Sequence, residues 1–194
     1  MKTQKTDRRS ERSRRIIGEA FIALLREKRY EDITVQDVLD RADIGRSTFY
    51  THYYDKEDLL DSHIEAMIDA LSQHMEQAPG TTMLLIPSLG LFQHVQEQRR
   101  LYHAMTRGGG LEIHKRTMQA KLSQQVEQRL QATLKKPTPT LTLTLAAQVV
   151  AGTFLTLLQW WAEHDMSISP KEMDGYFQRL VLPGIQNMLT DEVL

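Results

Sequence analysis

The chain lacks cysteine altogether, since none of its 194 residues is of that type. This absence excludes a disulfide framework and a thiolate metal site, and it fits a reducing compartment. Also missing are the His-Glu-x-x-His pattern of zinc hydrolases, the nucleophile elbow of serine hydrolases and the glycine-rich loop that binds phosphate. We therefore expect no enzymatic activity, no metal and no cofactor.

Long apolar runs are scarce, and the exception is the uncharged stretch between Lys136 and Glu163. Its length would allow a transmembrane helix. Glutamines and threonines interrupt it, however, so we predict a buried helix over residues 141–162 and no membrane partner. The N-terminus is basic and polar and shows no apolar signal core, which predicts a cytoplasmic protein.

The net charge is −1, which offers no general attraction to nucleic acid. The charge is unevenly spread, because residues 1–30 hold ten basic and four acidic side chains. We expect residues 1–9 to be disordered, since they have nothing to bury, and a first helix to begin near Ser10. The excess of basic groups on this arm and helix would face phosphates, with Arg14 and Arg15 near the duplex.

Helical periodicity recurs along the chain and predicts an all-α protein of about nine helices. On the first helix, the inward positions follow i, i+3, i+4, i+7 and i+8 spacing: Ile17, Ala20, Phe21, Leu24 and Leu25. Beyond residue 55, the pattern predicts helices over residues 56–77, 87–97, 99–106, 111–134, 141–162 and 170–190.

Residues 34–56 carry the most informative pattern. The apolar positions of their first short helix share one face: Val35, Val38, Leu39 and Ala42. Thr34 precedes that helix and, with Asp37, predicts a capping box. Gly45 ends the turn and is expected to take a backbone conformation that other residues resist. A second short helix over residues 46–53 exposes Arg, Ser, Thr, Tyr and His, which suit phosphates and base edges. The segment is therefore predicted to be a helix-turn-helix.

The turn Ala-Asp-Ile-Gly at residues 42–45 is followed by Ser-Thr-Phe-Tyr-x-His-Tyr-x-x-Lys at residues 47–56. In this order and spacing, the segment resembles the DNA-binding signature of the TetR/AcrR family of bacterial repressors. Tyr53 stands where the family more often has phenylalanine, and an aromatic ring fills the same position. The resemblance implies a DNA-binding domain of three helices at residues 1–55. A helical ligand-binding and dimerisation domain would follow at residues 56–194.

The helix-turn-helix predicts the side chains that face DNA. Arg46 and Ser47 begin the second helix, the part of a recognition helix that meets base edges. Gln36 can pair with an adenine edge, and Thr51 can contact a thymine methyl group. The remaining members of the predicted set follow from the resemblance, as contacts to phosphates and groove: Thr34, Thr48, Tyr50, His52 and Lys56.

The C-terminal half has the helix count of the family but no motif, and periodicity does not separate ligand-lining residues from core residues. We expect a small-molecule cavity to draw on large apolar and aromatic side chains: Phe92, Tyr102, Met105, Met118 and Trp160. In a TetR-like fold the last two helices meet their copies in a second subunit. The predicted dimer interface is Phe154, Leu158, Phe177 and Leu180.

The predicted function is that of a ligand-responsive repressor, which binds a palindromic DNA operator as a homodimer and releases it when a small molecule binds. An activator of the same fold is an alternative. A helical enzyme is a second alternative, but the sequence contains none of the catalytic patterns named above. A helical interaction module without DNA would leave the polar inventory of residues 46–56 unexplained.

Overall fold

The structure is a computed structural model that describes residues 2–77, 85–102, 110–134 and 138–190. These residues contain helices and no strand, so the predicted all-α class is confirmed. The elements are α1 (Lys2–Glu27), a 3-10 turn (Tyr30–Asp32), α2 (Val35–Ala42), α3 (Arg46–Tyr50), α4 (Lys56–Gln77), α5 (Ser88–Glu97), α6 (Gly110–Thr133), α7 (Thr140–Glu163) and α8 (Pro170–Thr190). Residues 99–102 are also helical.

The chain divides into two compact units. The first unit is Met1–Ile64 together with Arg100–His114, and the second is Glu65–Arg99 together with Lys115–Leu194. The first unit therefore takes in the beginning of α4 and a segment from the middle of the chain. Helices α4 and α6 each contribute residues to both units.

The first unit is built on the inward face of α1, and the predicted helical spacing of that face is confirmed. Its apolar core joins α1, α2, α3 and the first turns of α4, and it consists of Ile17, Phe21, Leu24, Leu25, Tyr30, Ile33, Val38, Leu39, Phe49, Leu59, Leu60 and Ile64. Phe49, the one apolar residue between polar neighbours on α3, is fully buried. The short helix α3 is held by this one aromatic anchor, because its other side chains are exposed or half-buried.

The prediction that residues 1–9 are disordered is wrong in the described part, because α1 already begins at Lys2. Lys, Gln and Arg are good helix formers, and a helix nucleated on the buried turns further along can extend without burying anything. Arg8 and Arg9 are accordingly exposed on it.

The turn between α2 and α3 does not use Gly45 as expected. Asp43 adopts the left-handed conformation, with φ 51° and ψ 53°, whereas Gly45 is extended at φ −76°. Aspartate is one of the few residues other than glycine that tolerate this region. A Cβ on Gly45 would lie 3.9 Å from the Ser47 hydroxyl oxygen, which is an ordinary contact.

The second unit is organised around an aromatic cluster. The ring of Phe92 on α5 lies 5.0 Å from that of Phe154 and 5.4 Å from that of Trp161, both on α7. Phe177 on α8 completes the cluster at 5.6 Å from Phe154. Helix α7 is the one described helix whose length and apolarity would allow it to cross a membrane. One of its faces is buried in this core.

Candidate nucleic-acid interface

The start of α2 is fixed by a network of hydrogen bonds. The Thr34 hydroxyl oxygen accepts from the Asp37 N–H at 3.2 Å, and the Thr34 N–H donates to the Asp37 carboxylate at 2.7 Å. The predicted capping box is therefore confirmed. Lys28 adds an ion pair to the same carboxylate at 2.8 Å. The Lys28 ammonium, the Thr34 hydroxyl and the Thr34 N–H all donate to the Asp37 carboxylate, and they hold its pKa well below the usual value.

Helices α2 and α3 present one exposed polar surface. Most of the predicted DNA-facing side chains are exposed on it: Thr34, Gln36, Arg46, Ser47, Tyr50 and Thr51. Thr48 and His52 are half-buried beside them. A surface that is polar outside and anchored by Phe49 inside presents hydrogen-bonding groups in a fixed array, as base and phosphate recognition requires.

Arg46 and Gln36 act as one unit at the centre of this surface. The Arg46 guanidinium donates to the Gln36 side-chain oxygen at 2.7 Å, and the Gln36 amide donates to the Asp40 carboxylate at 2.7 Å. This chain orients Arg46 at the N-terminus of α3 and leaves its other N–H groups available. Asp40 was not among the residues predicted from the sequence, although its i, i+4 spacing from Gln36 is the signal that points to it.

His52 and Arg14 lie at the edge of the surface. Burial, and then the positive charge of Arg14, lower the pKa of His52. The Arg14 side chain on α1 therefore interacts electrostatically with His52. Tyr54, which was not among the predicted contacts, is 88% exposed in the segment between α3 and α4.

Lys56 occupies a different place from the other predicted contacts. Its ammonium donates to the carbonyl oxygens of Ile33 at 2.9 Å, Tyr30 at 3.1 Å and Glu31 at 3.4 Å. It also lies 4.6 Å from the centre of the Tyr30 ring. The geometry ties Lys56 to the 3-10 turn that precedes α2.

Comparison with known proteins decides the family. A model of bacterial regulatory proteins of the tetR family matches residues 17–62, and a model of a TetR transcriptional regulator C-terminal region matches residues 88–182. The two together cover more than half of the chain. The chain belongs to the TetR family. It is a DNA-binding transcriptional regulator of that family.

Individual proteins are similar to this chain in sequence or in fold. An uncharacterised helix-turn-helix transcriptional regulator of Bacillus subtilis, YxbF, is 37% identical over 75 residues, which are 38% of this chain and 20% of the relative. The chain thus matches about a fifth of that protein's length. A TetR transcriptional regulator from Streptococcus agalactiae is 25% identical with a TM-score of 0.59, over 92% of this chain and 98% of the other. One from Rhodococcus shares 17% identity and a TM-score of 0.60, over 94% of this chain and 99% of the other.

The predicted effector-binding residues of this TetR-family chain occupy different surroundings. Phe92 is fully buried in the aromatic cluster, and Met118 is buried on α6. Trp160 is 44% exposed and stacks on His164 at 4.3 Å. Tyr102 lies in the first unit, where burial raises its pKa. Met105 lies outside the described residues.

A groove of about 560 Å³ lies in the second unit of the TetR-family chain. Its lining is mostly polar: Glu65, Arg116, Thr117, Ala120, Lys121 and Gln124. Lys121 is held by an ion pair to Asp69 at 2.8 Å. The groove lies open to solvent along α4 and α6 and is thus unlike a closed apolar cavity.

The predicted dimer residues also divide. Phe154, Leu158 and Phe177 are buried within the protomer, whereas Leu180 is 65% exposed. The exposed apolar side chains on the last two helices are Leu141, Leu145, Val149 and Trp160 on α7 and Tyr176 and Leu180 on α8. Burial of the first three residues in the core leaves Leu180 as the member of the predicted set that is available to a partner.

Proposed function

We propose that this protein is a ligand-responsive repressor that binds a palindromic operator as a homodimer. The observation that carries the proposal is the Asp40–Gln36–Arg46 chain on the exposed surface of α2 and α3. It holds an arginine fork at the N-terminus of α3, where recognition helices contact base edges. Such a fork fits the O6 and N7 acceptors of guanine.

The residues around Arg46 supply the sequence-independent part of binding. Ser47, Thr48 and Tyr50 offer hydroxyl groups to phosphate oxygens, and Thr51 is placed for a thymine methyl group. Arg14 and the half-buried His52 extend the surface towards α1. Thr34 and Lys56 contribute indirectly, because they fix the N-terminus of α2 on which Gln36 lies.

A homodimer follows from the need for two recognition helices on a palindrome, since each protomer has one. Leu141, Leu145 and Val149 follow i, i+4 and i+8 spacing on α7. Together with Tyr176 and Leu180 on α8, they form the apolar surface that we assign to the second subunit.

A small molecule bound in the second unit would release the operator by favouring a conformation with the wrong spacing between recognition helices. The apolar core around Phe92 and Met118 is where we place this effector. In this proposal the protein works in the cytoplasm and carries out no enzymatic step.

The experiment is a footprint on the DNA that flanks the gene, followed by a titration of the protected site at several salt concentrations. We expect a protected palindrome and an affinity that falls steeply as salt rises, because phosphate contacts release counterions. Arg46→Ala should weaken binding to this site by roughly 1–3 kcal/mol, or about fivefold to 150-fold.

The matched control is Arg116→Ala, which removes an exposed arginine from the second unit and should leave affinity unchanged. If flanking DNA is not protected, selection from genomic fragments gives a second search. Failure of both searches at low salt, with a folded protein, would contradict the proposed function. If the protein increases transcription from the bound site in cells, it is an activator and not a repressor.

A further inference from the structure

A buried histidine joins elements of the first unit that are far apart in sequence. The His114 side chain on α6 is 2% exposed, and its Nδ1–H donates to the Asp61 carboxylate on α4 at 2.5 Å. Its Nε2 lies 3.3 Å from the Tyr30 hydroxyl oxygen, and the two rings meet edge-on at 5.6 Å. The DNA-facing surface contains none of the three side chains.

Asp61 and His114 lie where α4 and α6 pass from the first unit to the second. Helix α4 passes from the first unit to the second after Ile64, and α6 does so after His114. Asp61 and His114 thus lie within the last turn of each helix before the division. The hydrogen bond between Asp61 and His114 joins α4 to α6 at this point.

Contacts lead from Tyr30 through the 3-10 turn to the DNA-facing surface of α2 and α3. Tyr30 begins the 3-10 turn, and Lys56 binds the carbonyl oxygens of that turn. The turn leads directly into Thr34, the N-cap of α2. A change in the position of Tyr30 therefore changes the start of the helix that carries Gln36.

We propose that Asp61 and His114 are a positioning pair through which the state of the second unit reaches the DNA-binding helices. The inference rests on the proposed function and adds to it the residues that perform the coupling. A hydrogen bond of this length is lost when its atoms separate by about 1 Å. A shift of α6 by that amount would break the hydrogen bond. The pair would then have two discrete states, joined and separated, as coupling between sites requires.

Hydrogen exchange with and without the operator fragment tests the coupling in the full-length protein. Coupling is reciprocal, so DNA bound to the first unit must alter the second. In the wild type we expect DNA to slow exchange at residues 35–50 and also at residues 115–130 of α6. In His114→Phe, which keeps an aromatic ring against Tyr30, and in Asp61→Leu, the first effect should persist and the second should disappear.

Asp61→Asn is the rescue variant, because its amide oxygen can still accept from His114. It should restore slow exchange at residues 115–130, whereas a purely structural role would make all three variants alike. Protection confined to residues 35–50 in the wild type would overturn the inference while leaving the proposed function intact. Absence of any DNA-dependent protection would instead contradict the proposed function.

A second measurement needs no DNA. Both tryptophans, Trp160 and Trp161, belong to the second unit, so their fluorescence follows that unit alone, whereas circular dichroism follows both. On unfolding by urea, the two signals should coincide in the wild type and in Asp61→Asn. They should separate in His114→Phe and Asp61→Leu. Coincident transitions in those two variants would overturn the inference.

Discussion

At the scale of single residues, the Lys56 ammonium is directed at main-chain carbonyl oxygens beside the candidate DNA-binding surface. An ammonium group has three N–H donors, and the Lys56 ammonium has three carbonyl oxygens within 3.4 Å. Its position over the Tyr30 ring adds a cation–π contact. These contacts assign it to the stability of the turn before α2, whereas Tyr50 is free to reach a phosphate.

Lys56→Met should lower the free energy of unfolding by about 1.5–3 kcal/mol, because hydrogen bonds to a charged group are lost while the aliphatic stem is kept. Tyr50→Phe should leave unfolding unchanged and weaken operator binding. Urea unfolding and operator titration of both variants measure this contrast. A Lys56→Met protein of wild-type stability with weakened DNA binding would return Lys56 to the phosphate contacts.

The sequence predicted the residue types of this surface but not all of their roles. Lys56 and Tyr50 both fit the family pattern, and only the fold shows that Lys56 is directed at main-chain carbonyls. Similarly, the turn motif predicted a special backbone conformation, but the structure places it at Asp43 and not at Gly45. Composition records what a side chain can bind, whereas its direction depends on residues distant in sequence.

At the scale of elements, the helices were the most predictable part of the fold. The bounds of α4 and α8 coincide with the sequence predictions, because each has a continuous apolar face and clear terminal residues. The capping box of α2 was also readable, since Thr34 and Asp37 are three residues apart. The ion pair from Lys28 could not be read in this way, because it joins the end of α1 to α2 across the intervening turn.

Removing the Asp37 carboxylate tests this element. Asp37→Ala should destabilise the protein by about 0.5–2 kcal/mol, the usual cost of a lost N-cap interaction. The folded-state pKa of Asp37 lies below its unfolded value. Its contribution is therefore present above about pH 4 and is lost as the pH falls further towards the folded pKa.

Unfolding by urea at several pH values measures this contribution. The loss of stability on acidification below about pH 4 should be smaller in Asp37→Asn, which keeps an acceptor without the titrating charge. Asp43→Asn is the matched control, because it changes a nearby exposed aspartate outside the capping box and asparagine tolerates its backbone conformation. An acid dependence equal in wild type and Asp37→Asn would show that Asp37 does not contribute.

At the scale of the whole molecule, the sequence predicted a boundary near residue 55, and the compact units divide the chain differently. Residues 100–114 belong with the N-terminal helices. Local periodicity could not have shown this, because the burial of His114 against Tyr30 joins positions 84 residues apart. The candidate base-reading surface was predictable because it is local in sequence, whereas the proposed coupling pair is not.

The dimer surface is also a property of the whole molecule, and burial within the protomer decides how to test it. A glutamate at Phe177 would enter the aromatic core, so loss of folding would obscure any effect on assembly. Leu180 extends into solvent on the same helix. Leu180→Glu should therefore leave the protomer folded. At a two-fold interface it would place two carboxylates against each other or against apolar side chains, and burying these charges would strongly disfavour the dimer.

We expect sedimentation to show a dimer for the wild type and a monomer, with unchanged helical content, for Leu180→Glu. Gln131→Glu adds the same carboxylate at an exposed position of α6 and should remain dimeric. The monomer should also lose the protection of a full palindrome, because one recognition helix contacts a single half-site and the second no longer adds its binding energy to the first. A Leu180→Glu protein that stays dimeric would move the interface away from the exposed side chains of α7 and α8.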